Sequence, residues 1–207
     1  MELVHVLRAG VAHAFMDECG YRTIIAANVA GSPGDLPVNA EMRFPEALFT
    51  ELHADLSRPH AFASERVSFL SCCPARLPGC SLLFVGQALH PVDDDDYEED
   101  GSAGAVLGPN AVRKALQYAY STRVSIFTVH RHEHRGQPQL SRVDMETNER
   151  LVADLWNARP DRPHGAVVLS QDSAFGLLWC YGSRRLVAIQ RFAIVGWPIR
   201  EVGYGVV

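Results

Sequence analysis

Residues 128–144 read Thr-Val-His-Arg-His-Glu-His-Arg-Gly-Gln-Pro-Gln-Leu-Ser-Arg-Val-Asp and hold three histidines within five positions: His130, His132 and His134. In an extended segment alternate side chains share a face, so His130 and His132 can converge on one ion, and so can His132 and His134. Imidazole and carboxylate ligands suit Zn²⁺, and three protein ligands leave a fourth position for water. Asp144 would supply the third ligand, brought back by the turn residues Gly136 and Pro138. Each signal also has a plainer reading. An H-x-H among arginines describes a solvated turn, Ser141 reads as an N-cap, and Asp144 suits a helix's first turn by complementing its dipole. Hydrolysis adds one requirement, a carboxylate near the metal but not on it, to move a proton. Glu65 is the candidate: it stands just before the apolar run Val67 to Cys73, although alone it reads as a surface glutamate at a strand's start.

Strands and helices must bring these residues together. Pro45 to Leu56 places Leu48, Phe49, Leu52 and Leu56 at helical spacing, with Pro45 suited to a first turn. Val67 to Cys73 and Ser81 to Leu89 read as a strand pair joined by a turn. Gly108-Pro-Asn110 leads into a helix with Val112, Ala115, Leu116 and Ala119 on one face. The buried strand Val124 to Val129 then runs into the histidines, and Ser141 to Asp144 opens a helix carrying Leu151, Val152, Leu155 and Trp156. Further strands are expected at Ala166 to Leu169, Phe175 to Tyr181, Leu186 to Gln190 and Phe192 to Val195. Without regular β-α-β alternation, this predicts an α/β (α+β) domain with a mixed central sheet. Residues 1–40, broken by turn residues at Gly31 to Pro37, read as a loosely attached segment or a start-site extension, and 41–207 as the domain proper.

Composition narrows the function. With 207 residues, 47% apolar and 21% charged, the chain can bury a core, which excludes a disordered protein. A net charge of −5 argues against a nucleic-acid partner. No apolar run approaches the ~20 residues of a membrane helix. The first twenty residues carry His5, Arg8, His13, Asp17 and Glu18 and do not read as a secretory signal. Five cysteines without a C-x-x-C pair suggest reduced thiols and a cytoplasmic protein, with Cys72 and Cys73 as small core residues. The acidic run Asp93 to Asp100 lacks the spacing of a calcium loop and reads as a solvated loop, or as a surface that steers a basic partner.

A glutamate opening E-x-x-x-φ-L, H-x-H after a buried strand and S-x-x-D opening a helix together resemble the signature of the JAB/MPN (JAMM) zinc metalloprotease family. The likeness spans about residues 44–199. It implies a curved mixed β-sheet flanked by helices and cleavage of peptide or isopeptide bonds after ubiquitin and ubiquitin-like proteins. By the resemblance, Glu65 is the proton-shuttling glutamate, Ser141 helps hold the oxyanion, and Asp144 is the third zinc ligand. Eight residues separate His132 from Ser141 and six separate His134 from it, where the family has seven, and Glu133 replaces the family's proline. The family's first histidine ends the buried strand, which favours His130 and His132, with His134 as an alternative ligand or a hydrogen-bond donor beside them. Pro91 to Glu99, Gly136-Gln-Pro138 and His164 to Leu169 are similar to JAB peptidases of bacterial ubiquitin-like modification operons, some of which act in antiphage defence. That implies a ubiquitin-like substrate tail, and activating and conjugating enzymes as partners. The same resemblance leaves open a peptidase that trims a sulfur-carrier protein, and a metal-free MPN scaffold.

Overall fold

The computed structural model describes residues 15–16, 22–23, 39–77, 81–100, 104–180 and 186–204. The chain divides into Met1–Asp35 and Leu36–Val207. In the first unit, β1 (Phe15–Met16) pairs antiparallel with β2 (Arg22–Thr23). How residues 1–38 are otherwise attached lies outside the described residues.

The second unit is α+β. Its strands are β3 (Ala40–Pro45), β4 (Val67–Leu77), β5 (Ser81–Pro91), β6 (Tyr97–Glu98), β7 (Val106–Leu107), β8 (Ser125–Arg131), β9 (His164–Leu169), β10 (Ala174–Trp179), β11 (Leu186–Val195) and β12 (Arg200–Tyr204). Three helices intervene: α1 (Glu46–Leu56), α2 (Pro109–Thr122) and α3 (Arg142–Ala158). The main sheet runs β10-β9-β8-β4-β5-β3-β11-β12, and β10 also pairs with β11, so seven strands close into a barrel. The pairs β8–β9, β3–β5 and β3–β11 are parallel and the others in this sheet antiparallel.

Alternation along β8 decides which side chains can reach a helix. Phe127 and Val129 join Leu70, Phe84 and Phe192 in the cluster that α1 also enters through Leu48 and Leu52. Ile126 joins Ala111 and Ala115 of α2 and Leu151 and Leu155 of α3. A period of two therefore puts Thr128 and His130 on the face covered by α2 and α3. Both faces of β8 are buried, which is why it reads as a continuous apolar run.

Several expectations shift. Ala40 is fully buried in β3, so the sheet begins one residue before the expected domain start at 41. Pro45 closes β3 and caps α1 from outside the helix. The two short strands expected between Leu186 and Val195 are one strand, whose polar pair Gln190–Arg191 falls at a register shift against β3. The acidic run is solvated only in part: Asp96 and Tyr97 are buried, and the other residues of 93–100 are exposed. Asp94 pairs with the buried Arg66 at 2.8 Å, and Asp93 and Asp96 both hold Lys114 Nζ at 2.6 Å. Cys72 is buried and free, but Cys73 is disulfide-bonded, so the expectation of five reduced thiols fails there. Among the described residues, no helix is long and apolar enough to cross a membrane.

Candidate metal centre

β4 and β8 run antiparallel with Val67 opposite His130. The start of one strand therefore meets the end of the other, and side chains far apart in sequence become neighbours. Glu65 stands two residues before the first residue of β4, Val67. The backbone N–H groups of Ser64 and Glu65 both donate to the Gly104 carbonyl, at 2.9 and 3.1 Å. A Cβ at Gly104 would lie 3.1 Å from Glu65 Oε2, so any side chain there would press on the carboxylate.

His130 is buried near the end of β8, and His132 follows the strand with its N–H donating to the Leu169 carbonyl at 2.8 Å. The two imidazole Nε2 atoms are 3.3 Å apart. Asp144 Oδ2 lies 3.7 Å from His130 Nε2, and Glu65 Oε1 lies 3.9 Å from His132 Nε2. Glu65, His130 and His132 each present a ligand atom within 4.8 Å of the other two. Two ligands at about 2.0–2.1 Å from a tetrahedral zinc are roughly 3.4 Å apart. The imidazole pair meets that separation, and the Asp144 oxygen is a few tenths of an ångström wide of it from His130, although the group of three ligand atoms within 4.8 Å of one another has Glu65, and not Asp144, beside the two histidines. The donor set of nitrogen and carboxylate oxygen suits the same ion.

Ser141 and Asp144 form a reciprocal capping box at the start of α3. Asp144 N–H donates to Ser141 Oγ at 3.1 Å, and Ser141 N–H donates to Asp144 Oδ2 at 2.7 Å. The plain N-cap reading and the chemical one hold together, because the cap fixes the carboxylate that faces His130. Accepting from Asp144 N–H leaves the Ser141 hydroxyl its own proton to donate.

The loop after β8 is tied to the β9–β10 turn. Gln171 Nε2 donates to the Glu133 carbonyl at 2.7 Å, Gln171 N–H to the His134 carbonyl at 3.0 Å, and Gly136 N–H to Asp172 Oδ1 at 2.7 Å. Gly136 has φ +87°, a backbone conformation that favours glycine, and this turns the chain back towards Ser141. His134 is not drawn into the group: it is exposed, and its Nδ1 lies 2.9 Å from the Arg135 carbonyl oxygen.

Burial sets the protonation of the centre. Desolvation raises the Glu65 pKa, with Asp144 adding to the rise and His132 opposing it. Desolvation lowers the His130 pKa, against the pull of Asp144 and helped by His132, so its imidazole is held neutral, the form that binds metal.

A cleft of about 260 Å³ opens over these groups, lined by Glu65, His130, His132, Ser141 and Asp144. A larger cleft of about 630 Å³ shares Glu65 and His132 with it and is walled by the α1–β4 connection and the histidine loop. Three residues of its lining carry buried nitrogens without a hydrogen-bond partner: His60 Nε2, Arg66 Nη1 and Arg131 Nε. His60 Nδ1 accepts from the Phe62 and Ala63 N–H groups, at 3.3 and 3.1 Å, which leaves the ring proton on Nε2. Sequence reasoning missed these three. It also missed Thr128 and Asn148, which stand two residues before His130 and one helical turn after Asp144. That spacing was the available signal.

No protein-family model matches the chain, and no curated protein matches it.

Proposed function

We propose that the chain is a zinc-dependent JAMM-type peptidase that cleaves after the C-terminal tail of a ubiquitin-like protein, in deconjugation or in maturation of a precursor. The observation that carries this reading is the His130–His132 pair at 3.3 Å, with Asp144 3.7 Å from His130 and Glu65 3.9 Å from His132. The mixed sheet curving into a barrel with helices against it supports it, since the JAB/MPN fold is a curved mixed sheet flanked by helices.

His130, His132 and Asp144 would hold the zinc, which supplies a Lewis acid and a water that ionises near neutral pH. Glu65 then accepts a proton from the attacking water at Oε1 and returns it to the leaving amine. The Ser141 hydroxyl donates to the developing oxyanion, an interaction worth about 3 kcal/mol in such sites. The larger cleft holds the extended tail.

The test is zinc content beside cleavage of a ubiquitin-like protein carrying a C-terminal extension, for wild type, Glu65→Ala and His132→Ala. The reading expects about one zinc per chain and cleavage in the wild type. It expects zinc without turnover in Glu65→Ala, and neither in His132→Ala. Wild-type protein with no zinc and no cleavage would leave the MPN scaffold in its place.

A further inference from the structure

Asn148 lies on the buried face of α3, in line with Leu151, Val152 and Leu155. An apolar residue would continue that face, so a buried amide there needs a reason. Its partners supply one. Thr128 Oγ1 donates to Asn148 Oδ1 at 2.5 Å, and Asn148 Nδ2 donates to the Asp144 carbonyl at 2.8 Å. Thr128 is itself buried, on the face of β8 that also carries His130. The two hydrogen bonds run from the strand that bears one candidate ligand to the helical turn that bears another.

We infer that the buried Thr128–Asn148 bridge is a positioning device that fixes the spacing between His130 and Asp144. The inference rests on the zinc reading above. Packing alone leaves a helix free to slide by a fraction of an ångström along a sheet, whereas a directional hydrogen bond specifies register. Metal coordination tolerates only a few tenths of an ångström in ligand distance. The Asp144 carboxylate is thus held from two sides: by the Ser141 N–H at its oxygen, and by Asn148 at its own backbone carbonyl. Neither Thr128 nor Asn148 is one of the proposed ligands, and their side-chain hydrogen bonds go to each other and to the Asp144 backbone carbonyl, so they act through the residues they hold.

The informative protein is the double variant Thr128→Val, Asn148→Leu. Replacing both members of a buried hydrogen bond by apolar groups of similar shape is close to neutral for folding. A merely structural role therefore predicts little change of any kind. The positioning role predicts that zinc affinity, read by competition with a chromophoric chelator, falls about 10- to 100-fold while the metal-free protein melts near the wild-type temperature. Thr128→Ser, which keeps the hydroxyl, should restore affinity to within a few-fold of wild type. If the double variant folds poorly, the single Thr128→Val exchange carries the same expectation for affinity. Wild-type zinc affinity in the double and the single valine variants would overturn the inference and leave the zinc reading standing. A wild-type chain that takes up no zinc would overturn both.

Discussion

The histidine loop and the acidic run are both short stretches crowded with one kind of side chain, and the fold treats them in opposite ways. In the acidic run the carboxylates diverge onto cations: Asp93 and Asp96 onto Lys114, and Asp94 onto Arg66 and Arg58. At the histidine end of β8 the groups converge. His130 and His132 face each other at 3.3 Å, and the carboxylates of Asp144 and Glu65 stand 3.7 and 3.9 Å from them. Like groups that each find a counter-ion make a clasp that holds structure. Like groups that crowd together half-buried raise one another's cost unless something binds between them. The first arrangement stabilises the fold, and the second is what a cation site looks like.

The largest expected effects test the convergent side of this contrast. Glu65→Gln should retain zinc and lose turnover by about 10²- to 10⁴-fold, the range for a positioned acid–base group. His132→Ala and Asp144→Ala should lose the metal, read as zinc per chain after gel filtration. Thermal melts of the metal-free proteins sharpen the point. The His132→Ala melt is the one to read, because Asp144→Ala also removes the α3 capping box. Loss of an imidazole crowded against another should leave His132→Ala as stable as wild type, or more so. A marked drop in melting temperature would mean that the cluster is a structural one.

Next in size is a histidine that the fold uses in the other way. His164, at the start of β9, is fully buried; its Nδ1 accepts the Ile126 N–H at 3.0 Å, and its Nε2 lies 3.3 Å from the Arg159 carbonyl. Burial first of all lowers its pKa to about 4. The unfolded chain takes up this proton near pH 6.5 and the folded chain only near 4, so the stability it confers is present above pH 6.5 and is lost as pH falls towards 4. That loss amounts to roughly 3 kcal/mol. His164→Asn keeps an acceptor for Ile126 and removes the titration. Urea melts between pH 7 and 4.5 should show a flatter profile for the variant, and parallel profiles would show that His164 does not carry the dependence.

Arg66 tests the clasp. Its side chain is buried and donates through Nε to the Arg58 carbonyl at 2.7 Å and through Nη2 to the Pro59 carbonyl at 2.8 Å, besides pairing with Asp94. Arg66→Met strands both carbonyls at a cost of about 2 kcal/mol. For a chain of this size that is roughly 4–8 °C in melting temperature. Zinc content should be unchanged, because no metal ligand loses a partner. Loss of zinc at full stability would reverse the assignment of the two regions.

What was legible in the sequence follows from where local chemistry decides. Ser141 and Asp144 announce the start of α3 because the capping box is local, and Gly108-Pro109 does the same for α2. His130 was legible as a strand end because β8 is apolar up to it. β3 was not, since Ala40 to Pro45 alternates with polar residues and becomes a strand only between its parallel neighbours β5 and β11, far off in sequence. The acidic run read as solvated, as most of it is, but the pairing of Asp93, Asp94 and Asp96 was not legible because their cations, Lys114 and Arg66, lie outside the run. The centre itself was legible as residue types, and Glu65, His130, His132, Ser141 and Asp144 do line one cleft. The residues that hold them were not: Thr128 and Asn148 are ordinary in a strand and a helix until the two pack together.

The smallest expected effect joins the two regions. β4 pairs with β5 only from Ser68, which stands opposite Pro91, so at Val67 there is no β5 residue in register. The Tyr97 hydroxyl takes its place: it accepts from the Val67 N–H at 3.0 Å and donates to the Val67 carbonyl at 2.9 Å. Tyr97 is the residue that ends the clasp, and Val67 is two residues beyond Glu65. Tyr97→Phe should therefore cost about 1.5 kcal/mol, seen as a fall of roughly 3–6 °C in melting temperature. It should also lower turnover several-fold at unchanged zinc affinity, because Glu65 is released while His130, His132 and Asp144 stay fixed. Turnover that stays at the wild-type rate while stability falls would mean that the Gly104 carbonyl alone fixes Glu65, and that the clasp ends at Val67 without reaching the chemistry.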